Sequence, residues 1–125
     1  MRPLPDVIDA CRALGIDFGD AAPMSRARPD GVLLQWQLTL PLLGPPHHGT
    51  VPFLIDWLDS PHPAATLSHH CELTMLRITP PQADTLAAVL AELGASPKVE
   101  TAVGDAALSA TITTPRGRAE LSSRR

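Results

Sequence analysis

Between Leu33 and Leu40 apolar and polar positions alternate: Leu34, Trp36, Leu38 and Leu40 fall on one side, Leu33, Gln35, Gln37 and Thr39 on the other. That period of two is the mark of a strand covered on one face. A different period governs Pro81 to Leu93, where Leu86, Val89, Leu90 and Leu93 recur at i, i+3, i+4 and i+7. This spacing predicts a helix, with Pro81 in its first turn and Gly94 in the left-handed capping position. An earlier stretch, Pro5 to Leu14, predicts a second helix with Val7, Cys11 and Leu14 on one face and a stop at Gly15. Setting Leu14-Gly15 on Leu93-Gly94 brings Val7 opposite Leu86 and Cys11 opposite Leu90, so the two helices read as copies.

The strands after each helix repeat as well. After the first come the strand Leu33 to Leu40, a Pro/Gly/His loop from Pro41 to Thr50, and a strand from Val51 to Trp57, with a short strand near Phe18. After the second come Val99 to Val103, Leu108 to Thr113 and Arg118 to Leu121, the last two joined by the turn Thr114-Pro115-Arg116-Gly117. The second copy opens with a strand, Glu72 to Thr79; before the first helix only Met1 to Leu4 are available. The expectation is an α+β chain of two modules, residues 1–65 and 66–125, packed as one compact domain, the first lacking its opening strand. A sheet short of a strand exposes an edge, and edges are usually covered or paired. A homodimer or a borrowed strand is therefore expected.

Composition narrows the function classes. Of 125 residues, 44% are hydrophobic but only 3% aromatic, and tyrosine is absent. The core must be aliphatic. A net charge of −3 and few stacking platforms argue against nucleic acid. Arg outnumbers the single lysine, Lys98, and Ala and Pro abound, a bias of GC-rich bacterial genomes. Two cysteines give no disulfide framework, and Cys11 on a helix face reads as a small buried hydrophobe. No stretch reaches the ~18 apolar residues of a membrane span. Asp6, Asp9 and Arg12 interrupt any signal core, so the expected location is the cytoplasm.

Several segments carry a resemblance: Arg26-Ala27-Arg28-Pro29-Asp30-Gly31, Leu34-Gln35-Trp36-Gln37-Leu38, Pro52-Phe53-Leu54-Ile55-Asp56-Trp57 with Ser60-Pro61-His62-Pro63, and Thr113-Thr114-Pro115-Arg116-Gly117. Together they resemble the glyoxalase-like domain family, within the vicinal oxygen chelate superfamily of glyoxalases and extradiol dioxygenases. The Asp-Trp-x-Asp-Ser-Pro-His-Pro run is the most specific of them. The resemblance implies paired βαβββ modules and a ligand cleft on the concave face of the sheet. It also implies, for the enzymes, a divalent metal held by about four side chains that carries developing negative charge. Longer relatives have a further module upstream, where a metal-binding histidine would lie, and this chain lacks that region.

The candidate residues lie on the strand faces and at the strand ends. Gln35 and Gln37, and Ser109, Thr111 and Thr113 on the second copy, would line the concave face if Leu34, Trp36 and Leu38 pack beneath a helix. Asp56 and His62 read either as an acid/base or hydrogen-bonding pair at the cleft mouth beside Trp57, or as parts of a crossing between modules, with Asp56 or Asp59 capping the turn, His62 a linker residue and Pro61 and Pro63 stiffening it. No third partner for Ser60 and His62 is evident, which disfavours a nucleophilic triad. Arg77, in an apolar strand, would meet an anionic ligand or pair with Glu120, itself the last-strand position where a metal ligand would be sought. His47-His48 and His69-His70 are adjacent pairs whose side chains diverge on an extended chain, and they read as solvated loop residues. No metal first shell can be assembled from these parts, although a divalent metal completed by a partner copy stays open. Three functions remain: a module binding a small organic molecule, which the missing ligands favour; a metal-dependent glyoxalase-type lyase or isomerase; and a dimeric scaffold.

Overall fold

The computed structural model describes residues 2–39, 50–68, 70–80, 83–95 and 98–123. The elements run α1 (Leu4–Ala13), β1 (Ala21–Ala27), β2 (Leu33–Thr39), β3 (Ile55–Asp56), β4 (Glu72–Thr79), α2 (Ala83–Glu92), β5 (Val99–Thr101), β6 (Ala107–Thr114) and β7 (Gly117–Ser122). In chain order this is αβββ followed by βαβββ, the α+β arrangement the sequence predicts. Strands β1-β2-β3 form one antiparallel sheet; β5-β4-β6-β7 form a second, in which only β5 runs parallel to its neighbour β4. Parallel pairing of β4 and β5 requires the crossover that α2 provides.

Both helices end in the same way. The amide of Ile16 donates to Cys11 O (3.1 Å) and that of Gly15 to Arg12 O (3.1 Å); Ala95 donates to Leu90 O (2.9 Å) and Gly94 to Ala91 O (3.1 Å). Each pair is a Schellman motif, which needs a left-handed residue where Gly15 (φ +106°) and Gly94 (φ +67°) stand. The turn at Gly15 sends Ile16 and Phe18 inward, and Leu14 stays exposed. The buried residues of α1 are Leu4, Ile8 and Cys11, with Val7 packed against the core; of the Val7–Cys11–Leu14 face expected, Leu14 alone falls outside it.

Among the described residues one cluster draws on both the αβββ and the βαβββ segments: Cys11, Ile16, Phe18, Val51, Ile78, Leu86 and Val89 are buried together. Burial pushes the Cys11 thiol up from its ordinary value, the environment of a packing residue rather than a nucleophile. Just outside this core, Asp17 Oδ1 accepts the Gly19 amide (2.9 Å) and the Arg12 guanidinium (3.2 Å). First the Gly19 amide and then Arg12 hold its carboxyl below the ordinary 3.8. A depressed folded value stabilises the fold above the ordinary value, and that contribution is lost as pH falls through the folded one. The melting-temperature gap between wild type and Asp17→Asn should be open at neutral pH and narrow as pH falls below the ordinary 3.8. Parallel melting curves across that range would contradict the role assigned to Asp17.

Two strands depart from expectation. Strand β1 pairs with β2 over seven positions, from Ala21↔Thr39 to Ala27↔Leu33, where the sequence predicts only a short strand near Phe18. Ala-Ala-Pro-Met-Ser-Arg-Ala has little intrinsic strand preference; the ladder offered by β2 imposes it. Conversely, β3 is two residues long, not the whole of Val51 to Trp57. The Thr39 hydroxyl accepts the Leu54 amide (2.8 Å), and the Thr39 amide donates to Leu54 O (3.0 Å), so a buried side chain ends the ladder. The β6–β7 hairpin closes at Thr114↔Gly117 as expected. The loop expected over Pro41 to Thr50 and the His47-His48 pair within it lie outside the described residues, except for Thr50; His69 lies outside them too.

Candidate functional site

The segment leaving β3 is built by a chain of local hydrogen bonds. Asp56 Oδ1 accepts the Leu58 amide (2.9 Å), an Asx turn that holds Leu58 at φ +53°, a left-handed backbone leucine seldom adopts. The Ser60 amide donates to Trp57 O (2.9 Å), while Ser60 Oγ accepts the Gln35 amide (2.7 Å) and so ties the turn to β2. His62 then caps a 3-10 turn, Pro63–Thr66: its Nδ1 accepts the Ala64 amide at 3.0 Å. The neutral ring consequently carries its proton on Nε2. With Ser60 Oγ held by Gln35 and His62 Nδ1 by Ala64, no Ser–His hydrogen bond forms. The Asp56 cap is the structural alternative open from sequence; the His62 cap is not part of that reading.

These bonds position Trp57. Register pairs Gln37 with Asp56, so Trp36 and Trp57 come next, on the opposite face of the sheet. Their rings lie 5.2 Å apart at 45°, and His62 meets Trp57 edge-on at 5.7 Å. Trp57 Nε1 is buried and has no acceptor among the described residues. A buried donor left without an acceptor costs about 1–3 kcal/mol, so it calls for an explanation.

Two cavities meet at this ring. One, of about 620 Å³, lies between the start of α1 (Leu4, Val7), the end of α2 (Leu93) and the segment Phe53 to Leu58, with the Arg2–Glu92 ion pair and Asp56 supplying its charges. The other, of about 460 Å³, is walled by Arg26 and Arg28 from β1 and its turn, by Leu34 and Trp36 from β2, and by the Pro61–Pro63 loop. Trp57 and His62 line both. These volumes lie within the range of small-ligand sites.

The structure thus brings Asp56, Trp57 and His62 together and distributes the other candidates elsewhere. Gln35 and Gln37 share the Asp56 face of β2 and line neither cavity. Arg77 is engaged by Glu100 across β4–β5 (2.6 Å), not by Glu120, which sits beside Arg118 at 3.6 Å on the exposed strand β7. Leu34, Trp36 and Leu38 do not pack into the helix-covered core; Leu34 and Trp36 face the Trp57 loop instead. Alternation separates the two faces of β2 but does not say which one a distant loop will cover. Trp36 and Arg26 escape a sequence reading for that reason, although a tryptophan flanked by two glutamines in a Tyr-free chain is a signal that points to the first.

A glyoxalase-type metal does not fit the described residues. Among them no three His, Cys, Asp or Glu side chains come together as a metal site. Residues 2–94 match the model of a glyoxalase-like domain, about three-quarters of the chain, from the start of α1 to the glycine that caps α2. The match takes in both tryptophans, the Asx turn and the His62-capped loop. No curated protein and no solved structure matches the chain. No helix among the described residues is long and apolar enough to cross a membrane. With an αβββ–βαβββ order of elements and a family match over most of its length, the chain belongs to the glyoxalase-like domain family of the vicinal oxygen chelate superfamily.

Proposed function

We propose that this domain binds a small organic molecule where its two cavities meet, against Trp57. The observation that carries the reading is the Trp57 ring, which meets Trp36 and His62 and walls both cavities. Such a ring offers a ligand a flat face to pack on, and the apolar lining supplies affinity. The site lies on the Trp36 face of β2 rather than the Gln35–Gln37 face. Asp56 and His62 act in it chiefly as builders, fixing the turn and loop that hold the indole. The competing reading, a metal-dependent lyase or isomerase, requires donors that the described residues do not group. A homodimer that covers a sheet edge belongs to the proposal as well: β7 is an outer strand, and all six of its residues are exposed.

Trp36 and Trp57 are the only tryptophans and tyrosine is absent, so intrinsic fluorescence reports on this site alone. A compound that binds there should alter the emission and raise the melting temperature together; saturation at about a hundredfold over Kd adds about 2.7 kcal/mol. A broad panel of small organic acids, phenols, aldehydes and amides that moves neither signal would refute the proposal.

A further inference from the structure

The two cavities that share Trp57 differ in charge. The larger mixes Arg2 with Asp56 and Glu92, and Arg2 is already paired with Glu92. The smaller is lined by Arg26 and Arg28 and by no carboxylate, on a chain whose net charge is −3. Arg28 is partly committed, since its guanidinium meets Asp30 at 2.6 Å. Arg26 is not. Arg2, Arg12, Arg77 and Arg118 each meet a carboxylate, whereas the Arg26 guanidinium has no ion pair or hydrogen bond among the described residues. Register places Arg26 beside Leu34, and Met24 beside Trp36, on one face of the β1–β2 ladder. A cationic end therefore adjoins an aromatic and proline-lined wall formed by Trp36, Trp57, Pro61 and Pro63.

Resting on the binding function proposed above, we infer that the smaller cavity takes an organic monocarboxylate with a flat apolar body, its carboxylate on Arg26 and its body against Trp36 and Trp57. A guanidinium forms charge-assisted, bidentate hydrogen bonds to a carboxylate, which a neutral group cannot match. Indole and proline faces cover the apolar part, and a volume of about 460 Å³ accommodates a one- or two-ring acid. Because Arg26 is exposed, part of its attraction is screened, so affinity falls as salt is added.

The test compares 3-phenylpropionate with its neutral isostere, 3-phenylpropanamide, on the full ¹⁵N-labelled chain, following the two indole N–H resonances. The carboxylate should bind at least about tenfold more tightly than the amide. In Arg26→Gln that preference should shrink to near unity while the Kd of the amide stays unchanged, which also shows that the variant folds. Equal binding of acid and amide to wild type, or a preference that survives Arg26→Gln, overturns the assignment of an anion while leaving a small-molecule site standing. Silence of both compounds overturns it too, and the broad panel then decides whether the site itself survives.

Discussion

Trp57→Ala should abolish ligand-induced changes in both fluorescence and melting temperature. It should also cost about 2–3 kcal/mol of stability, below the full value for a buried aromatic because Trp57 is only half-buried. The ring touches Trp36 and His62 and divides the two cavities, so truncation merges them and removes the wall a ligand packs against. Trp57→Phe separates packing from hydrogen bonding. It keeps most of the ring and deletes the donor that has no acceptor among the described residues. Relief of that donor offsets the smaller ring, and the change in stability should stay within about 1 kcal/mol. Ligand affinity should fall far less than in Trp57→Ala, because phenylalanine keeps a flat aromatic wall on both cavities. A denaturant midpoint for Trp57→Phe as low as that of Trp57→Ala would mean that the indole N–H is already satisfied in solution. A loss of affinity in Trp57→Phe as large as that in Trp57→Ala would contradict recognition by the ring face.

The second large effect concerns the core. Phe18→Ala is expected to cost about 3–5 kcal/mol, a substantial part of the roughly 5–15 kcal/mol typical of a domain. Phe18 is 2% exposed and packs among Cys11, Ile16, Val51, Ile78, Leu86 and Val89, a cluster drawing on both helices. Phe53 is the internal control: it is 63% exposed, so Phe53→Ala should move the urea midpoint little. Similar midpoints for the two alanine variants would place the core elsewhere. The comparison is sharp because these are the only two phenylalanines in the chain.

Much of the fold is legible in the sequence because its signals are local. Leu86, Val89 and Leu90 recur at helical spacing, and Gly15 and Gly94 occupy positions that only a left-handed residue fills easily. The hairpin at Thr114-Pro115-Arg116-Gly117 is likewise written in four adjacent residues. Strand β1 is not legible in this way: Ala21–Ala27 lacks both β-branched residues and alternation, and it is a strand because β2 pairs with it. The length of β3 is equally hidden, since the Thr39 hydroxyl that ends its ladder comes from another strand.

The candidate site shows the same division. The run from Asp56 to Pro63 identifies itself by composition, and the Asx turn and His62 cap come from bonds spanning two residues. Nothing near Trp36 in sequence says that the distant Trp57 will stack on it, or that the Pro61–Pro63 loop will cover that face instead of the Gln35–Gln37 face. The helices, their caps, the hairpin and the family likeness can be read from the residues alone, because periodicity and turn chemistry act within a few residues. Which side of β2 carries the cavity, and that Arg26 borders it without a carboxylate, follow from the folded chain. Those features depend on pairings between residues far apart in the chain, and a period of two is satisfied equally well by either face.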